Sequence, residues 1–269
     1  MSKPAPDRAA PKGEMVLLHG AFSGGWAMEG WAEVMRARGW NCHTPSLLHH
    51  DTPAHGRPHP DLGRTGLTDF ADDIAHKIKA LPEKPVIVGH SMGGLVAQML
   101  AGRNLARAIV LLAPSPPWGV MPSTDFEVLS AVGMVATLGI FWDGPIHPVY
   151  RVARDHTLNR LPRDEARAVF ARFVPESGRA VFEIMHSIWD IRRASRVEPW
   201  TVKCPVFAAA GSDDRVNSPR TVQRIASRYQ DSGRSVFREY EGFSHWMLSE
   251  PGWEAIARDG ADWLDTIGP

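Results

Sequence analysis

The feature that most constrains the fold is an abrupt change of character within residues 86–102, VIVGHSMGGLVAQMLAG. The first three residues form a β-branched run that is typical of a buried strand, and a helical pattern of apolar residues begins a few positions later. Between the two, glycines surround a single serine, Ser91. A chain that passes so quickly from a buried strand into a helix must turn sharply, and glycine removes the Cβ atoms that would clash there.

Short apolar strands alternate with helical patterns along most of the chain. The predicted strands lie in MVLLHG, GWNCHTP, PVIVGH, AIVLLAP, CPVFAAAG and SVFREYEG, that is, residues 15–20, 39–45, 85–90, 108–114, 204–211 and 235–242. Between them, segments such as LTDFADDIAHKIKAL place their apolar residues on one helical stripe. This alternation predicts an α/β fold with a mostly parallel sheet of about six strands, covered by helices on both faces.

The alternation stops between residues 114 and 200. This stretch predicts helices only, near 124–138, 163–174 and 179–191. We therefore expect a core formed by residues 14–113 and 201–269, with residues 114–200 inserted as a helical cap before the last two strands. Residues 1–13 are rich in proline, alanine and charged residues, which predicts a disordered tail.

Composition limits the classes of partner. Among 269 residues, Lys+Arg and Asp+Glu both total 30, so the formal net charge is zero. That balance argues against nucleic acid or an anionic membrane as the main partner. The chain has two cysteines and shows neither a signal-peptide pattern nor an apolar run of bilayer length, which favours a cytoplasmic protein without membrane insertion. Nothing in the sequence indicates the oligomeric state.

Ser91 lies in a G-x-S-x-G pattern, GHSMG, at the predicted turn from strand to helix. Such a turn forces the serine into a strained backbone conformation and places its hydroxyl above the carboxyl edge of the sheet, at a helix N-terminus that favours negative charge. A serine that merely caps the helix is the alternative explanation. The strand–turn–helix context favours a nucleophile.

A nucleophilic serine needs a base, and the base needs a carboxylate that orients it. Asp213 and Asp214 follow the fifth predicted strand, and His245 follows the sixth. Because the carboxyl ends of parallel strands meet at one edge of a sheet, we expect these side chains to lie near Ser91. Spacing alone does not separate Asp213 from Asp214.

Four segments, HGAFSGGW, GHSMGG, GSDDRVNSP and GFSHW, together resemble the α/β-hydrolase fold of serine hydrolases, from residue 15 to the C-terminus. The first of them is particularly similar to the methylesterase and hydroxynitrile lyase branch. The resemblance implies that the acid is Asp214, three residues after the glycine that ends its strand. It also implies an oxyanion hole formed by the backbone N–H groups of Ala21 and Met92, and no cofactor.

Apolar residues of the predicted cap are the candidates for a substrate-binding wall. They are Trp118, Met121, Trp142, Met185 and Trp189. Any one of them is more typical of ordinary helix packing, but a cap rich in Met, Trp and Phe favours a hydrophobic acyl or alcohol group over a sugar or a charged metabolite. We therefore expect a small, hydrophobic, ester-like substrate as the partner.

The other histidines predict no catalytic base. His19 and His90 belong to the motifs, where we expect hydrogen-bonded structural residues. Four more histidines crowd one loop, namely His49, His50, His55 and His59. Their irregular spacing, without carboxylate or cysteine partners at the intervals of metal ligands, argues against a metal site and favours a solvated loop.

The predicted function is hydrolysis of a carboxylic ester through an acyl-enzyme, with Ser91 as nucleophile, His245 as base and Asp214 as orienting acid. Hydrolysis of a diketone C–C bond or of a lactone, perhydrolysis and cyanohydrin cleavage use the same three residue types, and the sequence leaves them open. A serine at position 91, rather than an aspartate, argues against haloalkane dehalogenase and epoxide hydrolase chemistry. Outside the enzymes, a hydrolase-fold receptor for a small ligand is the alternative.

Overall fold

A parallel sheet forms the centre of the computed structural model, which describes residues 12–54, 56–123, 144–230 and 235–268. The strands in chain order are β1 (Glu14–Leu18), β2 (Asn41–His43), β3 (Val86–His90), β4 (Ala108–Leu112), β5 (Pro145–Ile146), β6 (Glu176–Ser177), β7 (Val206–Gly211) and β8 (Ser235–Tyr240). Six of them form one sheet in the order β2-β1-β3-β4-β7-β8, and every neighbouring pair in it is parallel. The predicted sheet is confirmed.

Helices cover both faces of this sheet. They are α1 (Glu29–Ala37), α2 (Leu67–Lys79), α3 (Met92–Gly102), α4 (Arg163–Phe170), α5 (Gly178–Met185), α6 (Pro219–Ser227) and α7 (Trp253–Thr266). Shorter helical segments are the 3₁₀ helices Gly25–Met28, Leu62–Arg64 and Pro199–Thr201, and a turn of α-helix, Tyr150–Val152, that continues as a π-helical turn, Ala153–Thr157. Within the described ranges, each helix is too short or too polar to cross a lipid bilayer.

The two faces of the sheet bury two separate hydrophobic clusters. Successive side chains of a strand point to opposite faces, so Val16 and Leu18 of β1 pack in the cluster that includes α2, α3 and α6. Met15 and Leu17 pack in the other cluster, with α1 and α7. All five residues of β1 are buried, as are those of β3 and β4. Burial on both faces explains why these strands are continuous apolar runs in the sequence.

The segment between β4 and β7, residues 114–200, is called the insert below. Its described part holds α4 and α5, which are shorter than the predicted helices near 163–174 and 179–191. The prediction of helices only is wrong here, because β5 and β6 pair in an antiparallel ribbon. The reason is that the chain before α5 runs extended, tied to the core by a hydrogen bond from Val174 N–H to the carbonyl of Phe22, 2.9 Å long. The predicted helix near 124–138 lies outside the described residues.

The turn between β3 and α3 presses the start of the helix against β1. A Cβ atom on Gly93 would lie 2.4 Å from the carbonyl oxygen of His19 and 2.5 Å from that of Leu18. A Cβ atom on Gly89 would lie 2.4 Å from the carbonyl oxygen of Gly93. These distances are far below van der Waals contact, so the sharp turn depends on both glycines.

We predict that Gly93→Ala lowers the free energy of unfolding by about 1–3 kcal/mol, because α3 must move away from β1. Gly260→Ala in α7 is the matched control, since its Cβ atom would meet its nearest neighbour at 3.8 Å. Without a clash, the alanine should stabilise that helix by about 0.5–1 kcal/mol. Urea denaturation measures both changes, and a Gly93→Ala protein as stable as the wild type would contradict the close packing.

Candidate active site

Ser91 occupies the turn between β3 and α3 with φ 50° and ψ −117°, a conformation that residues with a Cβ rarely adopt. Its N–H donates to the carbonyl of Leu112 at 3.0 Å. Its own carbonyl accepts from the N–H groups of Leu95 and Ser115, at 3.2 and 2.9 Å. Three backbone hydrogen bonds therefore hold the residue in place.

His245 lies between Ser91 and Asp214. Its Nε2 atom is 2.9 Å from Ser91 Oγ, and its Nδ1 atom is 2.9 Å from Asp214 Oδ2. The other carboxylate oxygen of Asp214 accepts from the N–H groups of Val216 and Asn217, at 2.7 and 2.8 Å. A carboxylate held in this way accepts the Nδ1–H of His245, which leaves the Nε2 lone pair for the serine hydroxyl. The structure thus brings together the three residues that were predicted for catalysis.

Asp213, the other candidate acid, pairs with Arg160. Its side chain is 41% exposed, and its Oδ2 atom lies 3.2 Å from Arg160 Nε. The geometry therefore separates the two aspartates that spacing left equivalent, and Asp214 is the one that contacts the histidine.

Two buried side chains that we did not predict as site residues hold the loop of His245. His90 Nε2–H donates to the backbone carbonyl of His245 at 2.9 Å, and burial lowers the pKa of His90 to about 3, so the ring stays neutral. Glu250 accepts the N–H of Ser244 at 2.8 Å and also binds its hydroxyl. Burial raises the pKa of Glu250. The motif GHSMGG predicted a structural role for His90. No motif in the sequence pointed to Glu250.

The N–H groups of Ala21 and Met92 are available to an anionic ligand. Both residues line the cavity above Ser91, and neither N–H donates to a protein acceptor within the described parts of the chain. Met92 is the first residue of α3, so its N–H also carries the partial positive charge of a helix N-terminus. The two groups are suited to bind an oxygen that becomes negative next to Ser91.

An apolar cavity of about 140 Å³ lies above Ser91 and His245. Phe22, Val216 and Trp246 of other segments contribute to its wall. The insert supplies a larger apolar share, namely Val149, Val152, Phe173, Val181, Ile184 and Met185. An apolar wall around a small polar group is the usual composition of a site for a hydrophobic small molecule.

Of the five cap residues predicted for this wall, the structure places Met185 in it. Trp142 lies outside the described residues. The branched aliphatic residues that form most of the wall were missed, because an apolar helical pattern does not show which helix face points toward the core.

The other three predicted wall residues lie away from the described cavity wall. Trp118 packs under Arg193, whose guanidinium carbon is 4.4 Å from the centroid of the indole ring. Met121 and Trp189 are 51% and 67% exposed, respectively. The prediction for these positions is therefore corrected: the insert turns them toward solvent or toward arginine side chains instead of toward Ser91.

A group of polar side chains on the histidine-rich loop could hold a cation. His49, His59 and Asp61 each offer a ligand atom, and these atoms lie within 4.8 Å of one another. However, the two imidazole rings stack at 3.8 Å between centroids with 8° between their planes. The lone pairs of the two rings therefore lie in nearly parallel planes that do not meet at a shared point, which favours ring stacking over chelation. The predicted lack of a metal site stays a prediction, and His55 lies outside the described residues.

Comparisons with known proteins identify the family and the fold of the chain. The model of the alpha/beta hydrolase family matches residues 15–258. A pyrethroid hydrolase from Sphingobium wenxiniae is 27% identical over 114 residues, 41% of this chain and 39% of that protein. The pimeloyl-[acyl-carrier protein] methyl ester esterase from Citrobacter koseri is 36% identical over 107 residues, 38% of this chain and 37% of that protein. The chain thus spans about two fifths of the length of each of these relatives.

The fold as a whole is similar to that of a methylesterase from Arabidopsis. The crystal structure of that protein superposes with a TM-score of 0.69 over 94% of this chain and 99% of that chain. The sequence identity is 14%, so this likeness concerns the fold. It confirms the α/β-hydrolase fold that the motifs predicted.

We predict that Asp214→Asn slows the labelling of Ser91 by a fluorophosphonate probe by a factor on the order of 10⁴, because the amide favours the wrong tautomer of His245. Asp213→Asn is the matched control and should label at nearly the wild-type rate, since Asp213 pairs with Arg160. The rate of probe incorporation into the intact protein measures both. Similar losses in the two variants, or the larger loss in Asp213→Asn, would contradict the assignment.

Proposed function

The chain belongs to the alpha/beta hydrolase family, and we propose that it hydrolyses carboxylic esters of small hydrophobic molecules through an acyl-enzyme on Ser91. The observation that carries the proposal is the hydrogen-bonded series of Ser91, His245 and Asp214 beneath an apolar cavity. Two relatives that are named as a pyrethroid hydrolase and a methyl ester esterase support an ester as the substrate class.

In the acylation step, Ser91 Oγ attacks the ester carbonyl carbon while His245 Nε2 takes the hydroxyl proton. Asp214 stabilises the imidazolium that forms. The carbonyl oxygen becomes negative and accepts hydrogen bonds from the N–H groups of Ala21 and Met92. When the tetrahedral intermediate collapses, the bond to the alcohol oxygen breaks, and His245 gives its proton to that oxygen.

In the deacylation step, a water molecule attacks the carbonyl carbon of the acyl-enzyme, and His245 takes its proton. A second tetrahedral intermediate forms with its oxygen bound by the same two N–H groups. Its collapse breaks the bond to Ser91 Oγ, which recovers its proton from His245, and the carboxylic acid leaves. The nucleophile, the base and the donors all come from the chain, so this chemistry requires no cofactor.

The proposal is tested by the loss of the nucleophile. Ser91→Ala should abolish both fluorophosphonate labelling and the hydrolysis of p-nitrophenyl esters, and should keep the fold because only one hydroxyl is removed. Circular dichroism and thermal unfolding serve as the control for folding. Labelling of the Ser91→Ala protein, or a wild-type protein that turns over no ester in a panel of graded chain length, would overturn the proposal.

We predict that Ile184→Ala lowers kcat/KM more strongly as the acyl chain of the ester grows, because longer chains reach the wall that Ile184 forms. The loss should be small for acetate and roughly tenfold for octanoate, as expected when about two methylene groups lose contacts worth about 0.8 kcal/mol each.

Ile188→Ala is the matched control for this series. It makes the same change four residues further along the insert, on a side chain that is 58% exposed. Its kcat/KM values should follow those of the wild type from acetate to octanoate. If Ile184→Ala lowered every ester by the same factor, the residue would have no role in binding the acyl chain.

A further inference from the structure

The Gly20–Ala21 peptide is held by its carbonyl group. The oxygen of Gly20 accepts hydrogen bonds from His19 Nδ1, at 2.8 Å, and from Ser23 Oγ, at 2.9 Å. In a trans peptide, the C=O and N–H groups of one plane point in opposite directions. Fixing the carbonyl of Gly20 therefore fixes the direction of the Ala21 N–H, which points away from these two donors.

The proton on His19 Nδ1 is itself determined by a neighbour. The N–H of Leu47 donates to His19 Nε2 at 2.9 Å, so Nε2 must be the acceptor and Nδ1 the donor. His19 is fully buried, and this burial, together with the nearby His50, lowers its pKa to about 3. The ring is therefore neutral with one fixed tautomer, suited to a structural hydrogen bond.

The next residue, Phe22, is held by the insert from two sides. Its backbone is left-handed, with φ 62°, which a residue with a Cβ adopts only when its surroundings require it. Its N–H donates to Glu176 Oε2 at 3.0 Å, and its carbonyl accepts from Val174 N–H at 2.9 Å. Both partners belong to the insert, so the turn that follows Ala21 depends on a segment far away in sequence.

The carboxylate of Glu176 uses both of its oxygens. Besides the N–H of Phe22, Oε2 faces His50 Nε2 at 3.0 Å, and Oε1 accepts the N–H of Ser177 at 2.6 Å. Glu176 and the ring of His50 are fully buried. Burial lowers the pKa of His50, but the attraction of Glu176 and its hydrogen bond outweigh this and raise it. His50 Nδ1 also faces an acceptor, the carbonyl of Leu48 at 3.1 Å, so both ring nitrogens are placed as donors, and the pair fixes the orientation of the carboxylate.

We propose that Glu176 is a positioning residue for the oxyanion hole: by binding the N–H of Phe22, it holds the left-handed turn that keeps the oriented Gly20–Ala21 peptide at the cavity, where the Ala21 N–H reaches the reacting carbonyl oxygen. This inference rests on the proposed function and extends it. The insert then supports the oxyanion hole in addition to lining the cavity.

A second glutamate of the insert allows this role to be separated from simple anchoring. Glu183 is also buried, and it accepts the N–H of Leu67 and Arg179 Nε, both at 2.7 Å. It therefore ties the insert to the start of α2 in the same chemical manner. None of its hydrogen bonds reaches residues 19–23. Loss of Glu183 should therefore weaken the packing of the insert on the core without a direct effect on the Ala21 N–H.

The test compares Glu176→Leu with Glu183→Leu. A leucine of similar size has no acceptor, so Glu176→Leu leaves the N–H of Phe22 without its hydrogen-bond partner. We expect its kcat to fall by a factor on the order of 10², with little change in KM. The reason is that the Ala21 N–H binds the oxyanion of the transition state much more strongly than the carbonyl of the bound substrate. The inhibition constant of a trifluoromethyl ketone, whose adduct with Ser91 carries an oxyanion, should rise by a similar factor.

In Glu183→Leu, the melting temperature should fall while kcat and the inhibition constant stay near their wild-type values. Equal effects of the two substitutions on kcat and on the inhibition constant would overturn the inference and leave Glu176 as an anchor.

A further variant is needed if Glu176→Leu does not fold. His50→Gln keeps an N–H donor toward Glu176 but removes the charge, so kcat should fall by a factor smaller than about 10², and the inhibition constant should rise by a factor similar to that smaller one. Unchanged values for both would overturn the inference. A wild-type protein that neither turns over esters nor binds the ketone would overturn the proposed function, and this inference with it.

Discussion

The backbone of Ser91 is held in a conformation that costs about 1–3 kcal/mol for a residue with a Cβ. The cost is offset by the backbone hydrogen bonds of Ser91 and by the packing of α3 on β1, where Gly93 lies against the carbonyl of His19. Strand β3 ends and α3 begins at this residue, so one turn places both the serine hydroxyl and the N–H of Met92 at the cavity. The rest of the site is arranged around these two groups.

The buried histidines His19, His90 and His245 differ in their surroundings, and the difference determines their tasks. Within the described residues, His19 and His90 have no carboxylate partner, and burial lowers the pKa of each to about 3. They therefore act as neutral hydrogen-bonding groups with fixed tautomers. His245 is hydrogen-bonded to Asp214 through Nδ1, and its Nε2 atom is placed to accept a proton from Ser91. Similar side chains thus serve as fixed supports and as the proposed base within a small volume.

The sheet and the meeting of Ser91, His245 and an aspartate were predictable, because apolar runs, glycine turns and the common edge of parallel strands are local signals. The choice of Asp214 over Asp213 was not predictable from spacing, since it depends on how the loop folds. The prediction of the cavity wall failed for a similar reason. Ile184 lines the cavity and Trp189 is exposed to solvent, although both residues fit the same apolar helical pattern in the sequence. Glu176 had no signature, because its partners lie 154 and 126 positions away in the chain.

The acyl-enzyme on Ser91 is the central claim, and product partitioning tests it most directly. Esters of one acid with several alcohols all lead to the same acyl-enzyme, which no longer contains the alcohol when water attacks. With methanol added as a competing nucleophile, the account predicts the same ratio of methyl ester to free acid from every ester of the series. A ratio that changes with the departing alcohol would contradict a common intermediate.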